Sequence, residues 1–442
     1  MAPLKAFFPV LLASLAACRQ CTNLTIPVDI SSRQGLFKEV PVETNLDVRA
    51  FTTRFNEYQA NLTATLLQGY QTLKGSYEIS AQYCHPDNGS NGIIQLLSHG
   101  IGFDKTYWDL NYNNFNYSYV NNALENGYST LAIDRLGIGN SSHGDPFNEI
   151  QSQAEIEALN AVTTKLRSGA IGQIGSYKKV IHVGHSFGSV QSYWLSALYP
   201  NNTDGVILTG YSTASQFLAY FAAGANFHSA RLNQPLRFGN VSISGLQQFA
   251  AKYNVSMDLV PALQQLVEKA GLDLSAQDVW NLVGSTEVGN LITGFNKTAP
   301  PLNYPSGYFA NSDLTSDQYL FLFPGNYDVG LAVVGEQTKQ PVTTGELLTI
   351  GSAPMMSPFT GPALVITGEH DVPFCGGNCY GQVPNITAPN IPAGVKTAFP
   401  AASAFEAYIQ PDTGHGLALH YNATAGFQVI QDFLANNGLA AQ

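Results

Sequence analysis

A serine between two glycines, placed where a strand turns directly into a helix, constrains this chain more than any other feature. Segment 184–188 reads Gly-His-Ser-Phe-Gly. Residues 179–183 before it are rich in β-branched side chains, which predicts a buried strand. Residues 189–199 after it carry apolar side chains at helical spacing and stop at Pro200, which predicts a helix. Such a turn raises the serine hydroxyl above a sheet. The context therefore predicts that Ser186 is a nucleophile.

Composition narrows the classes of partner. The chain has 442 residues, enough for one α/β core with an insertion. Only 12% of the residues are charged, and the net charge is −11. No basic run occurs, so nucleic acid is not expected as a partner.

The N-terminus has the pattern of an export signal. Lys5 precedes an apolar run at 6–17 that ends in small residues. This run is too short for a membrane span, so residues 1–18 are predicted to be a signal peptide, with cleavage after residue 16 or 18 left open. No later segment is long and apolar enough to cross a bilayer. We therefore expect a secreted protein without a transmembrane segment.

Asparagine sequons are more frequent than the composition predicts by chance, which also favours export. Asn140 is a doubtful site, because its loop should approach the core. The glycosylation candidates are Asn23, Asn61, Asn88, Asn116, Asn201, Asn240, Asn254, Asn296, Asn385 and Asn422.

Two cysteines lie close together late in the chain. Cys375 and Cys379 bracket Gly-Gly-Asn, and in an exported protein we expect them to form a disulfide. A metal site is the alternative, but further ligands at suitable spacing are lacking. Cys21 and Cys84 are a natural second pair.

The order of predicted elements indicates an α/β domain with an insertion. Strands, among them those predicted at 76–83 and 205–210, alternate with helices up to residue 211, and this rhythm returns at 363–367 and 404–409. The pattern argues for a mostly parallel sheet with helices on both faces. Between them, residues 212–359 show helical stretches such as 246–253 and 258–270. We therefore expect a core of residues 19–211 and 360–442 and a helical cap inserted at 212–359.

A serine hydroxyl needs a base, and the base needs an orienting acid. In this order of elements the histidine should follow the last strand, and His415 stands there between two glycines. His420 fits better in the following segment. The acid should follow the preceding strand, where Asp371 is favoured and Glu369 is the alternative.

Two other carboxylates suit the role of the acid less well. Asp134 follows the wrong strand, and Asp412 is too close in sequence to His415 to reach its ring. The oxyanion of the reaction needs two backbone N–H donors, for which Phe187 and Ile101 are predicted. His99 is expected to brace the loop before Ile101 by hydrogen bonds.

Five short motifs together carry a family resemblance. They are segments 99–104 (His-Gly-Ile-Gly-Phe-Asp), 134–139 (Asp-Arg-Leu-Gly-Ile-Gly), 184–188, 368–371 (Gly-Glu-His-Asp) and 414–416 (Gly-His-Gly). With them the chain resembles the α/β-hydrolase superfamily, and is similar to its secreted fungal serine esterase-like members. The resemblance covers roughly residues 70–211 and 360–442. It implies an α/β-hydrolase fold, a Ser186–His415–Asp371 triad, an acyl-enzyme and no cofactor.

The resemblance does not specify a substrate, because the superfamily also contains lipases, lactonases, thioesterases, peptidases and lyases. We expect hydrolysis of a small carboxylic ester. Segment 217–221 and Phe227 are aromatic and uncharged, which suits an apolar acyl or alcohol group, although packing alone explains such a stripe. Lyase or acyl-transfer chemistry, lactonase or peptidase activity and a non-catalytic binding protein are the alternatives. The complete set of candidate residues disfavours the last, and the oligomeric state is left open.

Overall fold

The computed structural model describes residues 19–87, 89, 92–172, 174–235, 237–239, 302–383 and 386–441. The expected signal peptide at 1–18 lies outside these residues. So do the helices expected at 246–253 and 258–270.

A central sheet of eight strands organises the molecule, and three short strands form a second sheet. The strands are β1 (Gln20–Phe37), β2 (Leu67–His85), β3 (Ile93–Ser98), β4 (Ser129–Ile133), β5 (Lys179–His185), β6 (Gly205–Thr209), β7 (His228–Ser229), β8 (Tyr308–Ala310), β9 (Val342–Thr343), β10 (Ala363–Gly368) and β11 (Phe405–Gln410). The central order is β1-β2-β4-β3-β5-β6-β10-β11. From β4 to β11 the pairs are parallel, whereas β2 is antiparallel to both β1 and β4. The mostly parallel sheet expected from the sequence is confirmed.

Helices surround this sheet. They are α1 (Asn45–Phe55), α2 (Leu62–Leu66), α3 (Tyr119–Glu125), α4 (Ser152–Ser168), α5 (Phe187–Leu198), α6 (Leu218–Ala225), α7 (Ala230–Asn233), α8 (Leu314–Phe321), α9 (Val329–Thr338), α10 (Thr344–Thr349), α11 (Val372–Cys375) and α12 (Ala423–Leu434). Helix α3 packs on α12, and α4 packs on α5. Within the described residues, no helix is both long and apolar enough to span a membrane.

The burial of the strands follows their place in the sheet. The inner strands β3, β4, β6 and β10 are buried along their whole length, as expected for strands covered on both faces. The outer strands β1 and β11 alternate between exposed and more buried residues. The carboxyl ends of the parallel strands meet at one edge of the sheet, which brings the loops after β3, β5, β10 and β11 together.

The N-terminal part of the sheet is longer than its sequence pattern suggests. A strand is expected at 76–83, but β2 runs over 19 residues and pairs with the whole of β1. Cys21 lies opposite Cys84 in this pair, and their sulfur atoms are 2.05 Å apart. The second disulfide suggested by the sequence is therefore present.

The segment between β6 and β10 interrupts the core. Its described part contains α6 to α10 and the antiparallel sheet β7-β8-β9. This small sheet was not expected, because strands of two or three residues carry no recognisable alternation. Residues 302–359 of this segment pack against the loops at the carboxyl edge of the central sheet. For example, Gln340 N donates to Gly102 O at 3.1 Å.

Candidate active site

Ser186 lies in a strained turn between β5 and α5. Its backbone has φ 55° and ψ −117°, a conformation that a residue with a side chain rarely adopts. Such strain costs about 1–3 kcal/mol and is concentrated at functional sites. Ser186 N donates to Thr209 O of β6 at 2.9 Å, which ties the turn to the neighbouring strand.

Close backbone contacts explain the two glycines of the turn. A Cβ on Gly184 would lie 2.3 Å from Gly188 O, and a Cβ on Gly188 would lie 2.1 Å from Ser98 O. No side chain fits at either position. The glycine pattern around Ser186 is thus required by packing.

His415 and Asp371 meet above the carboxyl ends of β10 and β11. His415 Nδ1 lies 2.7 Å from Asp371 Oδ2, and both side chains are buried. Asp371 also accepts hydrogen bonds from the Thr367 hydroxyl at 2.7 Å and from Phe374 N at 2.8 Å. A carboxylate held at three points fixes the orientation of the imidazole.

The other nitrogen of this imidazole is unused. His415 Nε2 is buried and forms no hydrogen bond to any described residue, Ser186 included. The ring lies beside Gly210, where a Cβ would be 2.9 Å from Cε1 and from Nδ1. Gly210 directly follows Thr209, the residue that accepts the hydrogen bond from Ser186 N. The structure thus places the free Nε2 in the same small region as the serine turn.

The alternative acids and bases have other partners. Glu369 Oε2 accepts from Asp412 N at 3.1 Å, and Asp134 pairs with Lys105 at 2.7 Å. His420 Nε2 accepts from the backbone of Phe323 and Gly414. Burial lowers the pKa of His420 to about 4, so this ring is neutral and holds the loop before His415.

A second histidine beside His415 was not singled out from the sequence. The His185 ring lies 4.8 Å from the His415 ring and stacks on Tyr107 at 4.3 Å between centroids. Its Nδ1 lies 3.1 Å from Thr209 Oγ1. Burial, and secondly His415, hold the pKa of His185 well below its usual value. Its position directly before the serine was the available signal.

The two expected oxyanion donors lie around one cavity with Ser186. Ile101 and Phe187 both line it. Neither N–H donates to a described residue. Gly100 allows the close approach of the two loops, because a Cβ there would lie 2.7 Å from Ser186 Cβ.

His99 hydrogen bonds on both sides of its ring. Nδ1 lies 2.9 Å from Gly100 O, and Nε2 accepts from Arg135 N at 3.1 Å. Burial, and secondly the Arg135 charge, lower the pKa of His99 to about 3. The ring is therefore neutral, with its proton on Nδ1.

The cavity at Ser186 has a volume of about 460 Å³ and walls that are mostly apolar. None of its lining residues in the described chain is charged. They include Ile101, Phe187, Val190, Tyr193, Tyr211, Leu218, Phe221, Ile350, Met355, Pro373 and Phe374. Of the aromatic segment noted in the sequence, Phe221 lines the cavity, whereas Phe227 is buried elsewhere in the core.

A disulfide closes the short loop that follows Asp371 and α11. The sulfur atoms of Cys375 and Cys379 are 2.01 Å apart, and Cys379 N donates to Glu369 O at 2.9 Å. Ligand atoms of Glu369, His370 and Asp412 lie within 4.8 Å of one another nearby. Partly exposed groups of this kind often lie close without an ion, and we assign no metal there.

The sequons differ in their accessibility. Asn23, Asn61, Asn116, Asn140 and Asn201 are exposed. Asn422 is half-buried, and its amide donates to Pro411 O at 2.8 Å. Asn88, Asn240, Asn254, Asn296 and Asn385 lie outside the described residues.

Comparison with known proteins agrees with this architecture. Residues 96–374, more than half of the chain, match the family described as alpha/beta hydrolase fold. No curated protein sequence gives a significant match.

Solved structures share the fold only distantly. A thermophilic esterase from Thermogutta terrifontis aligns with 14% identity and a TM-score of 0.41, over 82% of this chain and 94% of that one. An epoxide hydrolase from Vigna radiata aligns with 13% identity and a TM-score of 0.41, over 81% and 93%. Est1E from Butyrivibrio proteoclasticus, with ferulic acid bound, aligns with 11% identity and a TM-score of 0.40, over 82% and 96%. Likeness at this level carries no argument about activity. The family match over residues 96–374 shows that this chain belongs to the α/β hydrolase fold family.

Proposed function

We propose that this protein is a secreted serine hydrolase that cleaves carboxylic esters with Ser186, His415 and Asp371. One observation carries the proposal. The imidazole of His415 is buried and bonded through Nδ1 to Asp371, and its Nε2 is left free in the region of the Ser186 turn. A buried polar atom without a partner is costly, so it points to a partner supplied during function.

The mechanism follows from these positions. His415 Nε2 removes the proton of the Ser186 hydroxyl, and the oxygen attacks the ester carbonyl carbon. Asp371 holds the proton of His415 on Nδ1 and stabilises the imidazolium that forms. His415 then protonates the leaving alcohol, which leaves an acyl-enzyme. Water activated by the same nitrogen attacks this ester and releases the acid and Ser186.

Two backbone groups stabilise the charge that develops. The N–H groups of Ile101 and Phe187 donate to the oxyanion of each tetrahedral intermediate. Both residues line the cavity that contains Ser186, and both N–H groups are free of other described partners. Donors that are already in place need no reorganisation during the reaction.

The cavity supports a substrate with an uncharged apolar group. Its lining in the described chain carries no charge, so a charged acyl group would lose its hydration without compensation. Ligand pockets of proteins usually measure about 300–1,000 Å³, and this one lies within that range. The substrate is therefore a small apolar ester, and no cofactor enters the mechanism.

Export and domain organisation belong to the same proposal. Two disulfides and several exposed sequons suit an oxidising, extracytoplasmic compartment. We propose residues 1–18 as the signal peptide, residues 19–211 and 360–442 as the core, and residues 212–359 as the cap.

Substitution of the nucleophile tests this function. Ser186→Ala is expected to abolish hydrolysis of a short p-nitrophenyl ester and labelling by a fluorophosphonate. Ser192→Ala is the matched control, since Ser192 is another buried serine, located within α5, and its hydroxyl donates only to Gly188 O. Full activity of Ser186→Ala would falsify the proposal.

Isotope incorporation separates hydrolysis from the alternative chemistries of the same triad. In H₂¹⁸O, a hydrolase places one ¹⁸O atom in the released acid. A lyase or an acyl-transfer enzyme consumes substrate without this label. The second result would retain the triad and overturn ester hydrolysis.

A further inference from the structure

A cluster of buried charges lies behind the serine turn. The Arg135 guanidinium, fully buried after β4, lies 2.7 Å from Glu155 of α4 and also pairs with Glu346 of α10. Gln191 of α5 donates to Glu155 as well. Buried ion pairs are weak evidence for stability, because the cost of removing charges from water can exceed their attraction. The cluster is better understood from the groups that Arg135 contacts.

The main chain of Arg135 acts on the first oxyanion donor through His99. Arg135 N donates to His99 Nε2, so the neutral ring must carry its proton on Nδ1, which donates to Gly100 O. The Gly100 carbonyl and the Ile101 N–H belong to one planar peptide group and point in opposite directions. The hydrogen bond to the carbonyl therefore sets the direction of the Ile101 N–H.

The side chain of Arg135 acts on the second donor. Its guanidinium carbon lies 4.8 Å from the centre of the Phe187 ring, a cation–π distance. Phe187 is the first residue of α5, and its N–H is the donor on the other side of the oxyanion. Arg135 thus contacts Phe187 directly and is linked to the Gly100–Ile101 peptide group through His99.

We propose that Arg135, anchored by Glu346 of the inserted segment, is a positioning residue that aligns both oxyanion donors. This inference rests on the proposed esterase function. It also gives the insertion a role in catalysis besides covering the cavity, because Glu346 lies between β6 and β10 in sequence. Through the contact between Glu346 and Arg135, the inserted segment keeps the two N–H donors aligned for the transition state.

Two variants test the alignment. Arg135→Lys keeps a positive charge but removes the planar group that stacks on Phe187. Glu346→Gln removes the charge of the anchor. It keeps the cap of α10, because glutamine can replace glutamate in its capping box with Thr343. Asp204→Asn is the matched control, since it also neutralises a carboxylate that pairs with an arginine, Arg167, but at the opposite edge of the sheet.

The readout is the split between kcat and KM, together with binding of phenylboronic acid, whose serine adduct places an oxyanion between the donors. Removal of a whole donor costs about 10²–10³ in kcat, and misalignment should cost roughly tenfold in Arg135→Lys and less in Glu346→Gln. We expect boronic acid affinity to fall by the same factor as kcat, while KM stays within about twofold. Asp204→Asn should leave all three quantities unchanged.

Several results would overturn the inference. One is an unchanged kcat in both folded variants. Another is a loss of kcat no larger than the loss in Asp204→Asn. A third is a loss of kcat that is not accompanied by weaker binding of the boronic acid. If Arg135→Lys does not fold, Glu346→Gln decides alone. Failure of the esterase function is distinguishable, because the unsubstituted protein would then neither hydrolyse the ester nor bind the boronic acid.

Discussion

The five buried histidines form two groups that differ in the hydrogen bonding of their ring nitrogens and in their distance from the serine turn. His99, His182 and His420 have hydrogen-bond partners on both ring nitrogens. His185 and His415, beside the serine turn, each keep a buried Nε2 without a described partner. The first group shows what an imidazole does when it only supports a fold. The second group departs from the rule that buried polar atoms are paired, so each of its two members needs an explanation.

Two histidines on the same strand show the contrast best. His182 and His185 both belong to β5, three residues apart. His182 lies between the hydroxyls of Thr163 and Thr203, and burial lowers its pKa to about 3. His185 has a hydroxyl on one side only. Along β5 towards Ser186, the histidine ring nitrogens thus change from both hydrogen-bonded in His182 to only one hydrogen-bonded in His185.

The neighbouring acid distinguishes the two unpaired histidines as candidates for the base. His415 Nδ1 is bonded to the Asp371 carboxylate, whereas His185 Nδ1 is bonded to the neutral hydroxyl of Thr209. Only a carboxylate stabilises the imidazolium that forms during proton transfer. This difference supports the proposal that His415 is the base and that His185 has a packing role.

Removal of each histidine in turn should give the largest effect. His415→Gln is expected to lower kcat by roughly 10⁶-fold, as for other serine triads that lose their base. His185→Gln should lower kcat far less, because the His185 ring packs beside His415 and has no proposed part in the proton transfer. His182→Gln should leave kcat of the folded protein unchanged. Hydrolysis of p-nitrophenyl esters measures all three variants.

One ranking would contradict the assignment. If His185→Gln lost as much activity as His415→Gln, the two unpaired histidines would share the role of base.

Neutralising the acid should give the next largest effect. Asp371→Asn keeps the shape of the side chain but favours the wrong tautomer of His415, and kcat should fall about 10⁴-fold. Thr367→Val is the control, since it removes only one hydrogen bond to Asp371 and leaves the carboxylate. A loss in Asp371→Asn no larger than in Thr367→Val would assign the acid elsewhere, with Glu369 as the next residue to test.

The paired histidines should appear in the pH dependence of stability. Burial lowers the pKa of His99 and His182 to about 3 in the folded protein, below the unfolded value of about 6.5. The unfolded chain therefore binds more protons as the pH falls below 6.5, and stability present above that pH is lost on the way to pH 3. For His182 alone the loss at pH 4 has an upper bound of about 3 kcal/mol.

Thermal unfolding measures this effect. We expect Tm to fall between pH 7 and pH 4, and to fall less steeply in His182→Gln than in the unsubstituted protein. Parallel curves for the two proteins would show that His182 does not contribute to acid sensitivity.

Much of the core could be predicted from local pattern. The strand expected at 363–367 is Ala363–Gly368, and the one expected at 205–210 is Gly205–Thr209. Buried parallel strands are continuous apolar runs, which are easily seen in a sequence. The long ribbon of β1 and β2 was only partly foreseen, because its outer part is polar and depends on pairing between distant residues.

The candidate site shows the same division. Ser186, His415, Asp371, Ile101 and Phe187 remain predictions as functional residues, and the structure brings their loops to one edge of the sheet. His185 and Arg135 lay within the quoted motifs but were not singled out. Their importance is visible only in the structure, where His185 contacts the His415 ring and Arg135 contacts the Phe187 ring.

The amino-acid sequence by itself determined the turn at Ser186, because a strand, two glycines and a helix act within a few residues of one another. Tertiary structure alone decided which imidazole nitrogen is free and which charges surround Arg135. Those properties depend on residues such as Glu346, which lies 211 positions away from Arg135 and meets it only in the folded core. Steric constraints between neighbouring residues can be recognised in the amino-acid sequence, whereas the pairing of buried polar atoms is determined only when distant segments pack together.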